Sequence, residues 1–163
     1  ITIPYFNGER TPNLPDGKAS IIGLTSQNCS SAHILRSSVE GATYALRYGL
    51  DELISLGLSV EKIILIGGGS KSAPWRQIVA DIFQLPVEIL NIEEGASFGA
   101  ALQALWVLLL QDDANLALAT IINEHLSIKG SESIEPNKEN KSIYEQGFKN
   151  YQNAVNQVSP LFQ

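Results

Sequence analysis

The chain has 163 residues, enough for one domain with a substantial apolar core. Seventeen acidic against eleven basic residues give a net charge of −6, and no Lys or Arg cluster is present to track a nucleic-acid backbone, which argues against nucleic acid as a partner. A single cysteine, Cys29, excludes an internal disulfide framework, and no apolar run approaches the roughly 20 residues needed to span a bilayer. No signal-peptide pattern opens the chain, so the cytoplasm is the default expectation. The start at Ile1 and the absence of methionine suggest a partial piece of a larger protein.

Residues 1 to about 29 carry Pro4, Pro12, Pro15 and glycines at 8, 17 and 23, and read as loop with short strands, one of them around Ile21-Ile22-Gly23-Leu24. From Ser31 to Leu56 the residues Leu35, Val39, Ala42, Leu46, Leu50 and Leu53 recur three or four apart, and Gly57 follows as a stop. This predicts a long amphipathic helix. Ile63-Ile64-Leu65-Ile66 lacks polar alternation and predicts a strand covered on both faces, running into Gly67-Gly68-Gly69-Ser70-Lys71-Ser72. Ser72 suits an N-cap and Pro74 a first helical turn. Trp75, Ile78, Val79, Ile82 and Phe83 then repeat at helical spacing.

A second strand is expected near Val87 to Leu90, and a helix rich in small residues from about Glu94 to Leu110. Beyond Gln111 the pattern weakens, and Lys129 to Ser142 reads as a surface loop. Tyr144, Phe148, Tyr151, Val155 and Val158 then form one apolar helical stripe. The alternation of helices and strands implies an α/β layer structure.

Chemistry is concentrated at the glycine turn. Three glycines remove the Cβ atoms that would keep a ligand from the backbone, and the helix beginning at Ser72 offers N–H groups and partial positive charge to an anion. A tight connection needed only for packing would use the same residues. The turn is not a Walker A loop, because Ser70 rather than glycine precedes Lys71. It half-matches a dinucleotide fingerprint, with Glu93 and Glu94 at the distance of a ribose-binding acid. Lys71 is either a phosphate contact or a solvated side chain. Gly95, Ala96, Gly99 and Ala100 make a smooth helical surface, read first as tight packing. Glu9 and Arg10 read as surface or interdomain charges. His33 and His125 have no third partner in view, so no metal site is expected. No nucleophile elbow or catalytic carboxylate stands out, and Asp16, Asp51, Asp81, Asp112 and Asp113 are expected on solvated faces.

Taken together, Pro4-Tyr5-Phe6-Asn7-Gly8-Glu9-Arg10-Thr11-Pro12, Ile22-Gly23-Leu24-Thr25, the helix with Arg36, Glu40 and Gly41, the Gly67 to Ser72 turn, Trp75-Arg76-Gln77, Asp81 and Gly99-Ala100-Ala101 closely resemble the C-terminal half of bacterial xylulokinases. The wider group is the FGGY carbohydrate kinases. The resemblance covers nearly the whole chain and is weakest from about Gln111 to Ser142. It implies an α/β, ribonuclease H-like domain of the actin and sugar-kinase type, a mixed sheet flanked by helices, with residues 1–163 as the C-terminal nucleotide-binding domain of a two-domain kinase.

On that resemblance the parent uses ATP and Mg2+ to phosphorylate D-xylulose to D-xylulose 5-phosphate. Backbone at Gly68 and Gly69 approaches the adenosine and inner phosphate, while Ser70, Ser72 and Ala73 border the adenine pocket. Some relatives carry asparagine at the position of Ala73, so base recognition here rests more on shape and backbone. The catalytic aspartate and the sugar-binding residues of the family have no counterpart in these residues, so the chain alone is expected to be inactive. A homodimer is compatible with the resemblance. Alternatives kept open are the same domain of a gluconate, ribulose or glycerol kinase, a nucleotide-binding module without catalysis, and a Rossmann-type oxidoreductase fragment.

Overall fold

The computed structural model describes residues 1–90, 95–126 and 133–162. It opens on a short antiparallel pair, β1 (Thr2–Ile3) and β2 (Ser20–Ile21), with Thr2 opposite Ile21. Between them Glu9 and Leu14 exchange backbone hydrogen bonds of 2.8 and 2.9 Å, which folds the Gly8 to Pro15 segment into a hairpin-like loop. The second strand therefore lies slightly earlier than expected. Helix α1 (Ser31–Ser55) begins at the Ser30 cap, whose hydroxyl accepts from His33 N, and stops where Gly57 takes φ +99°.

Helix α1 lies directly on β1. A Cβ built on Gly41 would stand 2.1 Å from the Thr2 carbonyl oxygen, so only glycine permits this approach. The buried side of α1 holds Gly41, Thr43 and Tyr44. The expected leucine stripe does not pack: Leu35, Leu46 and Leu53 are 68%, 59% and 51% exposed. Close backbone approach and aromatic contact, rather than leucine spacing, select the face that is buried.

Strand β3 (Ile63–Leu65) pairs in parallel with β4 (Val87–Ile89), Ile63 opposite Val87, and α2 (Ala73–Phe83) links them. Ile63 and Leu65 pack with Trp75, Phe83 and Ile134 around buried Val79, Ala80 and Val87. On the other face of β3 and just past its end, Ile64 and Ile66 are 44% and 55% exposed, without a full cover among the described residues. The expectation of a strand covered on both faces is thus corrected: α2 covers one side, and alternate residues point away from it. Val87 also exchanges two hydrogen bonds, 3.0 and 2.9 Å, with Ile134. That segment, read as surface loop, lends a bridge to the free side of β4. The free edge of β3 has no partner among the described residues.

Helix α3 (Gly95–Leu109) agrees with expectation, and α4 (Leu118–His125) was not foreseen. A last helix, α5 (Lys141–Val158), buries Tyr144, Phe148, Tyr151, Ala154 and Val155, most of the expected stripe. It closes the main core with Ile3, Tyr5, Tyr44, Ile78 and Ile82. The Tyr44 ring packs against those of Tyr144, Phe148 and Tyr151 at centroid distances of 6.5, 5.9 and 5.6 Å. Arg47 caps the cluster, its guanidinium 4.5 Å from the Phe148 centroid and donating to the Ile82 carbonyl at 2.7 Å.

Asp81 overturns another expectation. It is 3% exposed rather than solvated, and its carboxylate accepts from Gln77 Nε2, Asn137 N and Asn140 Nδ2 at 2.8, 2.7 and 2.8 Å. Three donors replace the lost hydration, so the side chain ties α2 to the approach of α5. Asp16, Asp112 and Asp113 are exposed as expected.

Candidate functional site: the glycine turn

The carboxyl end of β3 leads into the turn. Residues Gly68–Lys71 form one 3-10 turn between strand and helix, in place of a direct strand-to-helix step. Gly67 enters it at φ +80° and ψ −167°, a conformation that a side chain would strain. The Gly67 carbonyl then accepts both Ser70 N at 3.1 Å and Ser70 Oγ at 2.7 Å. Ser72 closes the turn as N-cap of α2, its hydroxyl accepting from Trp75 N at 3.4 Å.

The three glycines do different work. A Cβ added at Gly67 or Gly68 would meet nothing within 4 Å, so the backbone there faces open space. A Cβ at Gly69 would lie 3.3 Å from the Trp75 ring, so this glycine lets the indole pack under the turn. Trp75 in turn donates its Nε1 proton to Thr43 Oγ1 at 3.1 Å, fastening the arrangement to α1. From the next position, Arg76 Nη1 donates to the Ser70 carbonyl at 2.7 Å. From sequence Trp75 reads as the start of an apolar helical repeat, and Trp75 and Arg76 as parts of a signature, with no role under the turn assigned to either. An aromatic and a guanidinium on the first turn of the following helix were the available signal for a brace.

The five candidate residues Gly68, Gly69, Ser70, Ser72 and Ala73 are thus one continuous ledge at the start of α2. Lys71 is exposed and Ala73 is the first helical residue. Gly95, at the start of α3, lies against Ile66 just ahead of the glycines, since a Cβ there would lie 3.6 Å from Ile66 Cδ1. Gly99 meets nothing within 4 Å, so the tight packing expected at that position is absent among the described residues. Glu93 and Glu94, the candidate ribose acids, lie outside the described residues. The ledge sits where parallel α/β sheets place ligands, beyond the carboxyl ends of their strands.

Other polar clusters hold the fold. Arg36 pairs with Glu40 at 2.6 Å and donates to Tyr144 Oη at 2.6 Å, joining α1 to α5. The hydrogen bond to Glu40 pushes the Arg36 guanidinium further toward the charged form. His33 and His125 stand on different helices, and no group of three or more His, Cys, Asp or Glu among the described residues is placed to hold a metal.

Residues 1–108 match the FGGY family of carbohydrate kinases, C-terminal domain. The chain belongs to that family. A xylulose kinase of Haemophilus influenzae is 51% identical over 107 residues, 65% of this chain and 22% of the relative. One from Staphylococcus epidermidis is 35% identical over 159 residues, 97% of this chain and 31% of the relative. This is the C-terminal domain of a xylulose kinase-like FGGY sugar kinase, and it spans a third or less of those relatives' length. A ligand-bound xylulose kinase from Lactobacillus acidophilus superposes with TM-score 0.85 at 23% identity, over 99% of this chain and 32% of the other. A Plasmodium falciparum glycerol kinase with ADP superposes with TM-score 0.71 at 26% identity, over 96% and 30%. The fold is the actin-like ATPase domain of FGGY kinases, with helices predominant. No helix among the described residues is long and apolar enough to cross a membrane.

Proposed function

We propose that the Gly67 to Ser72 ledge receives the nucleotide of an ATP-dependent kinase whose acceptor is D-xylulose and whose product is D-xylulose 5-phosphate. The observation that carries this reading is the open, Cβ-free backbone at Gly67 and Gly68, directly ahead of the α2 N-terminus at the carboxyl end of a parallel strand pair. Gly68 and Gly69 present backbone to the adenosine and inner phosphate. Ser70, Ser72 and Ala73 border the base. When bound, ATP with its Mg2+ supplies the phosphoryl group.

The ledge carries no carboxylate, so its own contribution is to hold and orient rather than to move the sugar proton. In phosphoryl transfer, positioning and charge stabilisation supply most of the acceleration, so one domain can hold the nucleotide while another presents the acceptor and its base. The chain alone therefore binds without turnover. Metal would arrive with the phosphates, since the ledge offers no oxygen cage for it. A kinase drawing on ATP and a free sugar belongs in the cytoplasm.

Gly68 gives the cleaner test, because a Cβ there meets only open space, whereas one at Gly69 presses on the Trp75 ring at 3.3 Å. In the parent kinase Gly68→Val should raise the ATP KM about tenfold or more, at unchanged thermal stability and xylulose KM. An ATP KM equal to wild type would refute the assigned ledge.

A further inference from the structure

The turn is held by short-range hydrogen bonds of its own. Its own hydrogen bonds run from Ser70 to the Gly67 carbonyl and from Ser72 N to the Gly69 carbonyl at 3.1 Å, and glycine imposes little conformational preference of its own. Two side chains from the first turn of α2 reach back under it. Trp75 lies against Gly69, and Arg76 grips the Ser70 carbonyl at 2.7 Å. Arg76 is half-buried, and its Nε is buried with no hydrogen-bond partner among the described residues. A buried guanidinium donor without an acceptor is costly, so maximal pairing does not explain this placement. Among the described residues its one hydrogen bond is the bond to the turn.

We propose that Arg76 is a positioning residue for the nucleotide ledge: by holding the Ser70 carbonyl away from the ligand side, it keeps the neighbouring backbone in the shape that Gly68 presents. This rests on the reading of the ledge as the nucleotide site. Arg76 acts through Ser70 and does not itself touch the reacting atoms. Losing it leaves the fold in place, because the core of α2 is formed by Ile78, Val79, Ala80 and Ile82 on its other turns. The ledge then samples other conformations, and nucleotide binding pays for reordering it.

The test is steady-state kinetics of the parent kinase carrying Arg76→Met, set beside Gly68→Val. Arg76→Met should raise the ATP KM about tenfold, as expected for loss of one charged hydrogen bond, while the xylulose KM stays within about twofold and the melting temperature holds. If Gly68→Val raises the ATP KM and Arg76→Met does not, the role of Arg76 is overturned and the ledge stands. If neither variant changes it, the ledge itself is wrong. Proportional losses for both substrates with a lowered melting temperature would show general damage and also overturn the proposal. Should Arg76→Met fail to fold, Arg76→Lys carries the test, with a severalfold rise in ATP KM expected from its single-pronged head group. An unchanged ATP KM in that variant overturns the proposal.

Discussion

On one side of α1, Thr43 and Tyr44 are buried against α2 and α5, while on the other Leu35, Leu46 and Leu53 keep more than half of their surface exposed. The buried side includes polar groups. Its polar groups find partners across the packed elements: Thr43 with Trp75 and the Val39 carbonyl, and Arg47 with the Ile82 carbonyl, while in the core that they border, Tyr151 donates to Tyr5. The bare side has apolar residues without a cover among the described residues, and Ile64, Ile66, Val107 and Leu108 elsewhere in the fold are likewise exposed. What buries a residue here is the presence of a fitting partner, and apolarity without a partner stays in water.

The largest expected effect is on the sealed side. Tyr151 is fully buried, packs on Tyr44 and donates to Tyr5 Oη at 3.0 Å. Tyr151→Ala should cost about 3 to 5 kcal/mol in urea denaturation of the 163-residue chain, the range for removing a buried aromatic ring. A loss under about 1 kcal/mol would erase the distinction between the two sides.

Much of this sealed core was legible in sequence, and the reason is local. The stripe of Tyr144, Phe148, Tyr151 and Val155 is long, regular and flanked by polar residues, so one periodicity explains it. The Ser72 cap with Pro74 behind it was equally plain, because capping chemistry lies within a few residues. The leucine stripe of α1 misled, since its spacing was right and its partner is absent among the described residues. Asp81 misled in the opposite direction. Two of its three donors, from Asn137 and Asn140, lie 56 and 59 residues away, and no local pattern announces such a pairing. At the candidate site the glycines were visible, but their division of labour was not: only the position of Trp75 separates Gly69, which serves packing, from Gly68, which faces open space.

Alkali should act on the sealed side next. Burial pushes the phenols of Tyr151, Tyr44, Tyr144 and Tyr5 above their ordinary value, and for Tyr44 and Tyr144 the Glu40 carboxylate adds to the rise. In the unfolded chain these phenols ionise near about 10, so below that pH both states keep their protons and stability is fully present. Above it the unfolded state releases protons that the folded state retains, and stability falls by up to about 1.4 kcal/mol per pH unit for each such group. Urea midpoints should be flat from neutrality to about pH 9.5 and then decline, less steeply in Tyr151→Phe. Equal slopes in the two proteins would mean that this phenol is not among those resisting ionisation.

The smallest effect belongs to the bare side, and there the context of measurement decides the outcome. Leu46 is 59% exposed, so Leu46→Ser in the 163-residue chain removes little buried area and should shift stability by no more than about 0.5 kcal/mol. The relatives are at least three times longer than the segment they share with this chain, and an exposed apolar stripe is a surface that additional polypeptide can cover. In a parent kinase that covers it, the same substitution should cost about 2 kcal/mol or more through lost burial. Paired denaturation curves of the short chain and the parent, each with and without Leu46→Ser, measure the difference. A cost that is equally small in both would assign the stripe to solvent and leave the contrast between the two sides of α1 as a property of the whole kinase.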